Sequence, residues 1–197
     1  TVGGSAIGGY IQNGGTVTIS GGNTNTDYYV FTLTYGDNIF TMTGGTLNIL
    51  GSYGKGGIFM NCDDGNYNVS GGTINCEINN TNDFIITSRV PLPNVTLSNS
   101  LANSNEFLLD EGLDVGSTDV DLAAQPLNIL YDLTINADAE LNANGYDLKI
   151  GDDFDFQNGA SYTHGGNTTW FHERGNAGVI RVRDVSTTNP LVLNDVV

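Results

Sequence analysis

The chain has 197 residues, a length that fits one domain or two small ones, and its 22 acidic residues against 6 lysines and arginines give a net charge of −16. A hydrophobic fraction of 39% with only 14% charged residues supports a folded core and argues against wholesale disorder. The longest apolar runs span only a few residues, whereas a membrane-spanning helix needs about 20. Because phosphate contacts require a basic face, the shortage of cations argues against nucleic-acid binding.

The residue choice favours strands and turns over helices. The 27 glycines, 25 asparagines and 21 threonines are residues of turns and strands, whereas long helices are built mainly from Ala, Leu, Glu, Lys, Gln and Arg. The sequence therefore predicts an all-β protein. It opens on Thr1 without a methionine or a signal peptide, which predicts a mature or excised piece of a longer chain.

A Gly-Gly-Thr motif recurs in the first half of the chain. GGTVTI at 14–19 returns as GGTLNI at 44–49 and as GGTINC at 71–76, at offsets of 30 and 27 residues, and NVTLS at 94–98 is a degenerate fourth copy. Each copy predicts a Gly-Gly turn followed by a strand whose alternate residues face inward. The expected inward pairs are Val17/Ile19, Leu47/Ile49, Ile74/Cys76 and Val95/Leu97. A single coil cannot bury such a face, so similar residues recurring once per repeat indicate coils stacked on one another.

The second half keeps the alternation in short strands separated by Asn-Gly corners at 144–145 and 158–159. Short strands with regular corners fit a sandwich or a solenoid, and a repeat of about 27 residues with one inward pattern favours the solenoid. The predicted fold is an all-β, right-handed parallel β-helix of about seven to nine coils, with the handedness that parallel crossovers generally adopt. One domain is expected over 1–197, as part of a longer chain, with Gly-Gly-Thr coils in 1–90, an irregular insertion in 91–126 and degenerate coils in 127–197.

The second half also carries a more specific order of motifs. A Leu-Thr-Ile-Asn strand at 133–136 leads to an Ala-x-Leu strand, an Asn-Gly corner and a Leu-x-Ile-Gly strand at 148–151. This order resembles repeat units of very large cell-surface proteins of Bacteroidetes, including gliding-type adhesins exported by the type 9 secretion pathway. The phrase GNTTWF at 166–171 is similar as well, and HERG stands at 172–175 where those repeats have Asn-Gly.

The resemblance implies a secreted, cell-surface β-helical stalk or adhesive segment without catalytic residues. Its implied partners are surface glycans, other cell-surface proteins and flanking repeats of the same chain. The predicted function is therefore a non-catalytic structural or adhesive module. Two other function classes stay open. One is a polysaccharide lyase or glycoside hydrolase, for which Asp152 and Asp153 offer a carboxylate pair. The other is an ice-binding solenoid with outward Thr-x-Thr rows such as Thr16 and Thr18, which Asn48 interrupts.

Acidic residues concentrate in the middle of the chain. Residues 106–155 hold thirteen carboxylates with Lys149 as their only cation, so stacked coils bring like charges together. Two interpretations are open: a solvated acidic surface, or Ca²⁺ bound between coils or at the 110–121 loop, since hard cations bind clustered carboxylate oxygens. No other cofactor is required. The candidate calcium ligands are Asp110, Glu111, Asp114, Asp119, Asp121, Asp152, Asp153 and Asp155.

Two cysteines and two aromatic residues complete the candidate sites. Cys76 takes an inward position equivalent to Ile49, and Cys62 shares the inward parity of its neighbours. A disulfide across the coil interior and two buried free thiols both fit this placement. Trp170 and Tyr162 are candidates for stacking on sugar rings, and the alternative is a polar corner around an aromatic plug.

Overall fold

The computed structural model describes residues 8–21, 28–54, 56–110, 126–172, 181–187 and 189–197. Within these ranges the chain forms strands, turns and loops without a helix, which confirms the predicted all-β class. The described residues thus contain no helix that is long and apolar enough to cross a membrane. The strands are β1 Gly9–Ser20, β2 Tyr29–Leu33, β3 Ile39–Leu50, β4 Gly56–Met60, β5 Tyr67–Ile78, β6 Phe84–Ser88, β7 Asn94–Asn99, β8 Phe107–Leu109, β9 Leu127–Ile129, β10 Leu133–Ile135, β11 Glu140–Asn142, β12 Leu148–Ile150, β13 Phe154–Phe156, β14 Ser161–Thr163, β15 Thr168–Phe171, β16 Val182–Asp184 and β17 Asp195–Val196.

These strands assemble into three sheets whose neighbouring strands all run parallel. Sheet A has the order β1-β3-β5-β7-β10-β13-β16, sheet B has β14-β11-β8-β6-β4-β2, and sheet C has β17-β15-β12-β9. From β7 to β15 the chain visits sheets A, B and C in turn, so each strand pairs with its counterpart from the next passage. The arrangement is consistent with a β-helix or solenoid-like fold.

Like residues stack in register along sheet A and form the core. Leu47 pairs with Ile74 and Ile74 with Val95, and the same column continues through Leu133 to Phe154. All five side chains are at most 1% exposed. This column confirms that alternate residues of the Gly-Gly-Thr repeats face inward and that the same pattern extends into the second half.

The first copy of the repeat departs from this burial. Val17 pairs with Leu47 as predicted, yet its side chain is 37% exposed, and Ile19 is only half-buried. β1 is the outermost strand in the order of sheet A, so no other strand of the described ranges covers this end of the column. Burial at this position therefore depends on a neighbouring strand as much as on sequence pattern.

The Gly-Gly pairs lie inside strands, which corrects the predicted turns. β1, β3 and β5 each continue through their Gly-Gly pair with the register shift of a β-bulge. The second glycine of each pair has a positive φ, 69° at Gly15, 86° at Gly45 and 100° at Gly72, which glycine adopts without steric cost. The bulge changes the strand parity, because Met42 before it and Leu47 after it are both fully buried.

The Asn-Gly dipeptides form corners between sheets. Asn144 and Gly145 have φ values of 52° and 81° and connect β11 of sheet B to β12 of sheet C. Gly159, with φ of 90°, lies between β13 of sheet A and β14 of sheet B. The flanking strands belong to different sheets, so these turns change the direction of the chain between faces and do not form hairpins.

The segment expected as an irregular insertion, 91–126, contributes strands to two sheets. β7 pairs with β5 and β10, β8 pairs with β6 and β11, and Leu92 bridges to Ile129. Leu97 and Phe107 are at most 1% exposed and extend the core. In β7, Val95 and Leu97 keep the inward alternation predicted for the fourth copy of the repeat. β8 has only three residues, too few to show an alternation in the sequence, and residues 111–125 of this segment lie outside the described ranges.

Candidate functional site

The predicted calcium ligands fall into two groups. The first group lies outside the described residues and comprises Glu111, Asp114, Asp119 and Asp121. The second group lies within the described residues and comprises Asp110, Asp152, Asp153 and Asp155. Within the described ranges, no group of three or more His, Cys, Asp or Glu side chains is arranged to hold a metal ion. The second group is therefore not brought together as a metal site.

Side-chain oxygens at the start of three sheet A strands accept hydrogen bonds from the following passage of the chain. Asn94 Oδ1 accepts a hydrogen bond from the backbone N–H of Asp132 at 3.3 Å, and Asp132 Oδ1 accepts one from the N–H of Asp153 at 3.1 Å. Asp153 Oδ1 in turn accepts one from the N–H of Arg181 at 3.0 Å. We call Asn94, Asp132 and Asp153 the corner ladder. Its oxygens satisfy backbone donors, so two of the clustered acidic residues have a structural role.

Two arginines near β16 neutralise carboxylates of the preceding strand. Arg181 Nη1 lies 3.3 Å from Asp153 Oδ2, and Arg183 Nε lies 2.8 Å from Asp155 Oδ1, with both arginine side chains more than half exposed. The parallel register of β13 and β16 sets Asp155 beside Arg183. Exposed pairs of this kind contribute only about 0–1 kcal/mol each, but they relieve repulsion among the carboxylates.

The carboxyl group of Asp132, in the corner ladder, has a raised pKa. Partial burial raises the pKa of its carboxyl, the hydrogen bond from the Asp153 N–H lowers it, and the charges of Asp152, Asp153 and Asp155 raise it further. The net direction is upward. Because the pKa is higher in the folded state than in the unfolded state, the protonated carboxyl favours folding and the ionised carboxylate opposes it. The stabilisation is fully present below the unfolded-state pKa and is lost as pH rises through the raised folded-state pKa.

Replacing Asp132 with asparagine is expected to raise the free energy of unfolding at neutral pH, by up to about 1 kcal/mol because the site is partly solvated. The asparagine Oδ1 still accepts the N–H of Asp153, as Asn94 does for Asp132, while the unfavourable charge is removed. Below the ordinary aspartate pKa of about 3.9 the gain should vanish, because both side chains are then neutral. Urea unfolding at neutral and acidic pH measures this; a loss at neutral pH, or a gain that persists in acid, contradicts it.

Both cysteines are free thiols in the core. Cys62 and Cys76 are each 1% exposed, and no disulfide joins them in this structure. Burial raises the pKa of the Cys62 thiol to about 11 and also raises the pKa of Cys76. The thiolate is the reactive form of cysteine, so burial and a raised pKa both make these thiols inert at neutral pH.

A thiol reagent such as a maleimide is expected to leave the native protein unlabelled at neutral pH. After unfolding without reductant, both Cys62 and Cys76 should react, because both are free thiols. Mass spectrometry of the labelled protein counts the modified thiols. A doubly labelled native protein would show that the two side chains are not buried, and an unfolded, unreduced protein without label would show a disulfide.

The two aromatic candidates for sugar stacking lie on different sheets. Trp170, in β15 of sheet C, is 38% exposed and in register with Lys149. Tyr162, in β14 of sheet B, is in register with the buried Leu141, and its ring meets Phe154 edge to face with the centroids 6.2 Å apart. Tyr162 therefore packs partly buried against the core. A strand of three residues is too short to reveal this orientation in the sequence.

The outward face of sheet A carries polar columns in register. One column consists of Thr16, Thr46, Thr73 and Asn94, and a second consists of Thr18, Asn48, Asn75, Thr96 and Thr134. Asn75 Nδ2 donates to Asn48 Oδ1 at 2.9 Å, and Asn48 Nδ2 donates to Thr18 Oγ1 at 3.1 Å. The asparagines that interrupt the threonine row in the sequence thus extend it through hydrogen bonds, and the face is an ordered polar surface.

No known protein family, curated protein or solved structure matches the chain at a significant level. The features that bear on function are the polar columns of sheet A, the corner ladder with its arginine partners, and the partly exposed ring of Trp170.

Proposed function

We propose that the chain is a non-catalytic structural and adhesive module of a secreted, cell-surface protein. The observation that carries the proposal is the in-register stack of parallel strands in sheet A, which buries one face and presents polar columns on the other. The finer architecture we propose is a right-handed parallel β-helix with one coil for each strand of sheet A, in line with the handedness of parallel crossovers. At a spacing of about 4.8 Å, these seven stacked strands span roughly 29 Å.

Such a stack suits a module that bears load and makes repeated contacts. The hydrogen bonds between parallel strands run along the stacking direction, so bending or stretching the stack must strain many of them at once. Equivalent polar groups recur once per strand, and many weak contacts along one surface add up to stable attachment. The proposed partners are surface glycans, other cell-surface proteins and flanking repeats of the same chain. Export by the type 9 pathway, as for gliding-type adhesins, rests on the motif order of 133–151.

Asp153, one of the two carboxylates that a polysaccharide-active enzyme would use, is already engaged within the stack. Asp153 accepts the backbone N–H of Arg181 and pairs with its guanidinium, and Asp155 pairs with Arg183. A general acid or base must be free to exchange a proton with the substrate. The engagement of Asp153 leaves the predicted Asp152/Asp153 pair without a free second carboxylate, which supports a module without turnover.

We also propose that Ca²⁺ stabilises the chain through its acidic middle region, where Asp110 adjoins further carboxylates at positions 111–121. Millimolar Ca²⁺ is expected to raise the melting temperature relative to EDTA, because an ion that binds only the folded chain stabilises it. Scanning calorimetry with Ca²⁺, Mg²⁺ and EDTA measures the effect. Identical melting temperatures in Ca²⁺ and EDTA rule the calcium site out.

An adhesion assay combined with a product assay tests the proposed function. Beads carrying the chain are allowed to settle on glycan-coated surfaces and on bacterial cells, and their retention under flow is measured. The same protein is incubated with neutral and acidic polysaccharides and assayed for new reducing ends and unsaturated products. We expect retention without products. Products would favour the lyase or hydrolase, shaped ice crystals with a lowered freezing point would favour the ice-binding solenoid, and no retention on any surface would contradict adhesion.

A further inference from the structure

A groove of about 530 Å³ runs across sheet A at the carboxyl ends of its strands. Glu77 on β5 pairs with Ser98 on β7. The same register continues at the residues that directly follow β10, β13 and β16, because the backbone N–H of each donates a hydrogen bond to the neighbouring strand of sheet A. The groove floor is thus one outward column with one residue in, or just after, each of five neighbouring strands: Glu77, Ser98, Asn136, Gln157 and Val185.

Internal hydrogen bonds leave particular groups of this groove available to a ligand. Asn136 Nδ2 donates to Ser98 Oγ at 2.9 Å, which leaves Asn136 Oδ1 and the Ser98 hydroxyl proton for other partners. Asn158, on the groove wall, uses its Oδ1 to accept a backbone N–H and a hydroxyl, which leaves its Nδ2. Within the described part of the chain, the side chains of Gln157 and Glu77 make no hydrogen bond. The groove therefore offers both donors and acceptors to a ligand.

We propose that this groove binds an extended, neutral polysaccharide with one sugar unit per strand, which rests on the proposed adhesive function and names its ligand. Amide and hydroxyl groups offer both donors and acceptors, as sugar hydroxyls require. Among the described residues, no lysine or arginine lines the groove, and the net charge of −16 repels an acidic polymer. The strand spacing of about 4.8 Å is close to the length of one sugar unit in an extended chain, so the polar groups repeat in step with the ligand.

An extended peptide is a poorer occupant for this groove. Peptides usually join a sheet along an unpaired strand edge, where main-chain hydrogen bonds hold them. The groove instead crosses β7, β10 and β13, which are paired on both sides, and it presents side chains. Over these three strands the groove can therefore recognise a polymer through its hydroxyl groups but offers no free backbone to a peptide.

Two variants and a matched control test the groove. Gln157→Ala removes a floor group whose side chain makes no hydrogen bond to the described residues, and Ser98→Tyr fills the groove with a ring. Thr163→Ala is the control, because Thr163 is an exposed polar residue of β14 on sheet B. Mobility in native gels is compared with and without hydroxyethylcellulose, xylan, dextran or mannan as neutral probes and alginate or polygalacturonate as acidic ones. Circular dichroism and melting curves establish that each variant is folded.

We expect at least one neutral polysaccharide to retard the wild-type chain at both low and high salt, since the binding groups are uncharged apart from Glu77. Gln157→Ala should weaken the retardation several-fold, Ser98→Tyr should abolish it, and Thr163→Ala should leave it unchanged. No retardation by any neutral probe overturns the proposal. So does retardation of folded Gln157→Ala equal to wild type, retardation by acidic probes alone, or displacement of the polysaccharide by unrelated extended peptides.

The bead assay separates failure of the groove from failure of the adhesive function. Beads carrying Gln157→Ala or Ser98→Tyr are compared with wild-type beads on the surfaces that retain the wild type. Lower retention of the variant beads supports the groove, whereas equal retention overturns the groove and leaves adhesion standing. Wild-type beads that adhere to no surface overturn adhesion itself, whatever the gels show.

Discussion

The Gly45→Ala variant is expected to lose about 2 kcal/mol or more of its free energy of unfolding, a large share of the stability of an ordinary domain. Gly45 has φ of 86°, where a residue with a side chain costs about 1–2 kcal/mol. A Cβ there would also lie 2.7 Å from the Gln12 side-chain nitrogen, the Gly14 carbonyl carbon and the Gly15 carbonyl oxygen. Overpacking of this kind costs about 1–3 kcal/mol, and because two of these atoms are backbone, β1 and β3 must move apart.

The buried side-chain amide of Gln12 makes the same bulge sensitive to an added methyl group. Gln12 is 5% exposed, and its Nε2 donates to the carbonyl oxygens of Gly15 and Thr46, both at 3.1 Å. A methyl group at Gly45 displaces this nitrogen and leaves the carbonyl groups of the bulge without their donor. A buried acceptor without a partner costs free energy, so the loss of these bonds adds to the steric cost.

Alanine substitutions at two neighbouring glycines distinguish the backbone cost of Gly45→Ala from its steric cost. Gly14 has no atom within 4 Å of an added Cβ and does not have a left-handed backbone, so Gly14→Ala should cause no loss of stability. Gly15 has equal space but φ of 69°, so Gly15→Ala isolates the backbone cost of about 1–2 kcal/mol. Urea unfolding curves of the three variants should rank Gly14→Ala as most stable and Gly45→Ala as least stable. Equal stability of these two would show that the bulge does not have this geometry.

The stacked core was predictable from the sequence, but the bulge was not. Leu47 and Ile74 could be aligned because their motifs share one spacing and one alternation, and the structure pairs them. A Gly-Gly pair, however, is typical of both turns and bulges. The available signal was the parity of the apolar residues around Gly45, because Met42 and Leu47 are both apolar and stand an odd number of positions apart. One face can contain both only if an extra residue is inserted between them.

The ion pairs at the end of sheet A could not be predicted in the same way. Thr134 pairs with Asp155 at an offset of 21 residues, whereas Asp155 pairs with Arg183 at an offset of 28. Because the spacing between paired residues varies, the sequence shows that the side chains of Asp155 and Arg183 face outward but not that they are neighbours. A count of charges alone therefore predicts repulsion, whereas the structure places one guanidinium beside each of two carboxylates.

Replacing Phe84 with alanine is expected to cost about 3–5 kcal/mol, the usual penalty for removing a buried ring. Phe84 is fully buried in sheet B and stacks in register on Phe107, with ring centroids 5.2 Å apart. The loss includes an aromatic pair worth about 0.5–1.5 kcal/mol. Because β6 is hydrogen-bonded to β4 and β8 on its two sides, the backbone cannot collapse into the cavity. Leu101→Ala, at a side chain 48% exposed, is the matched control and should change stability by no more than about 0.5 kcal/mol.

The packing of Phe84 over Gly57 can be tested by a double-mutant cycle. A Cβ on Gly57 would overlap the ring of Phe84, so Gly57→Ala alone is expected to destabilise the protein. In the Phe84→Ala background the ring is gone and the added methyl group fills part of the cavity, so the same change should cost little or restore stability. Residues in contact typically show interaction energies of about 0.5–3 kcal/mol in such a double-mutant cycle. An equal cost of Gly57→Ala in both backgrounds would mean that Phe84 does not pack over Gly57, and the stacking of β4 on β6 would have to be revised.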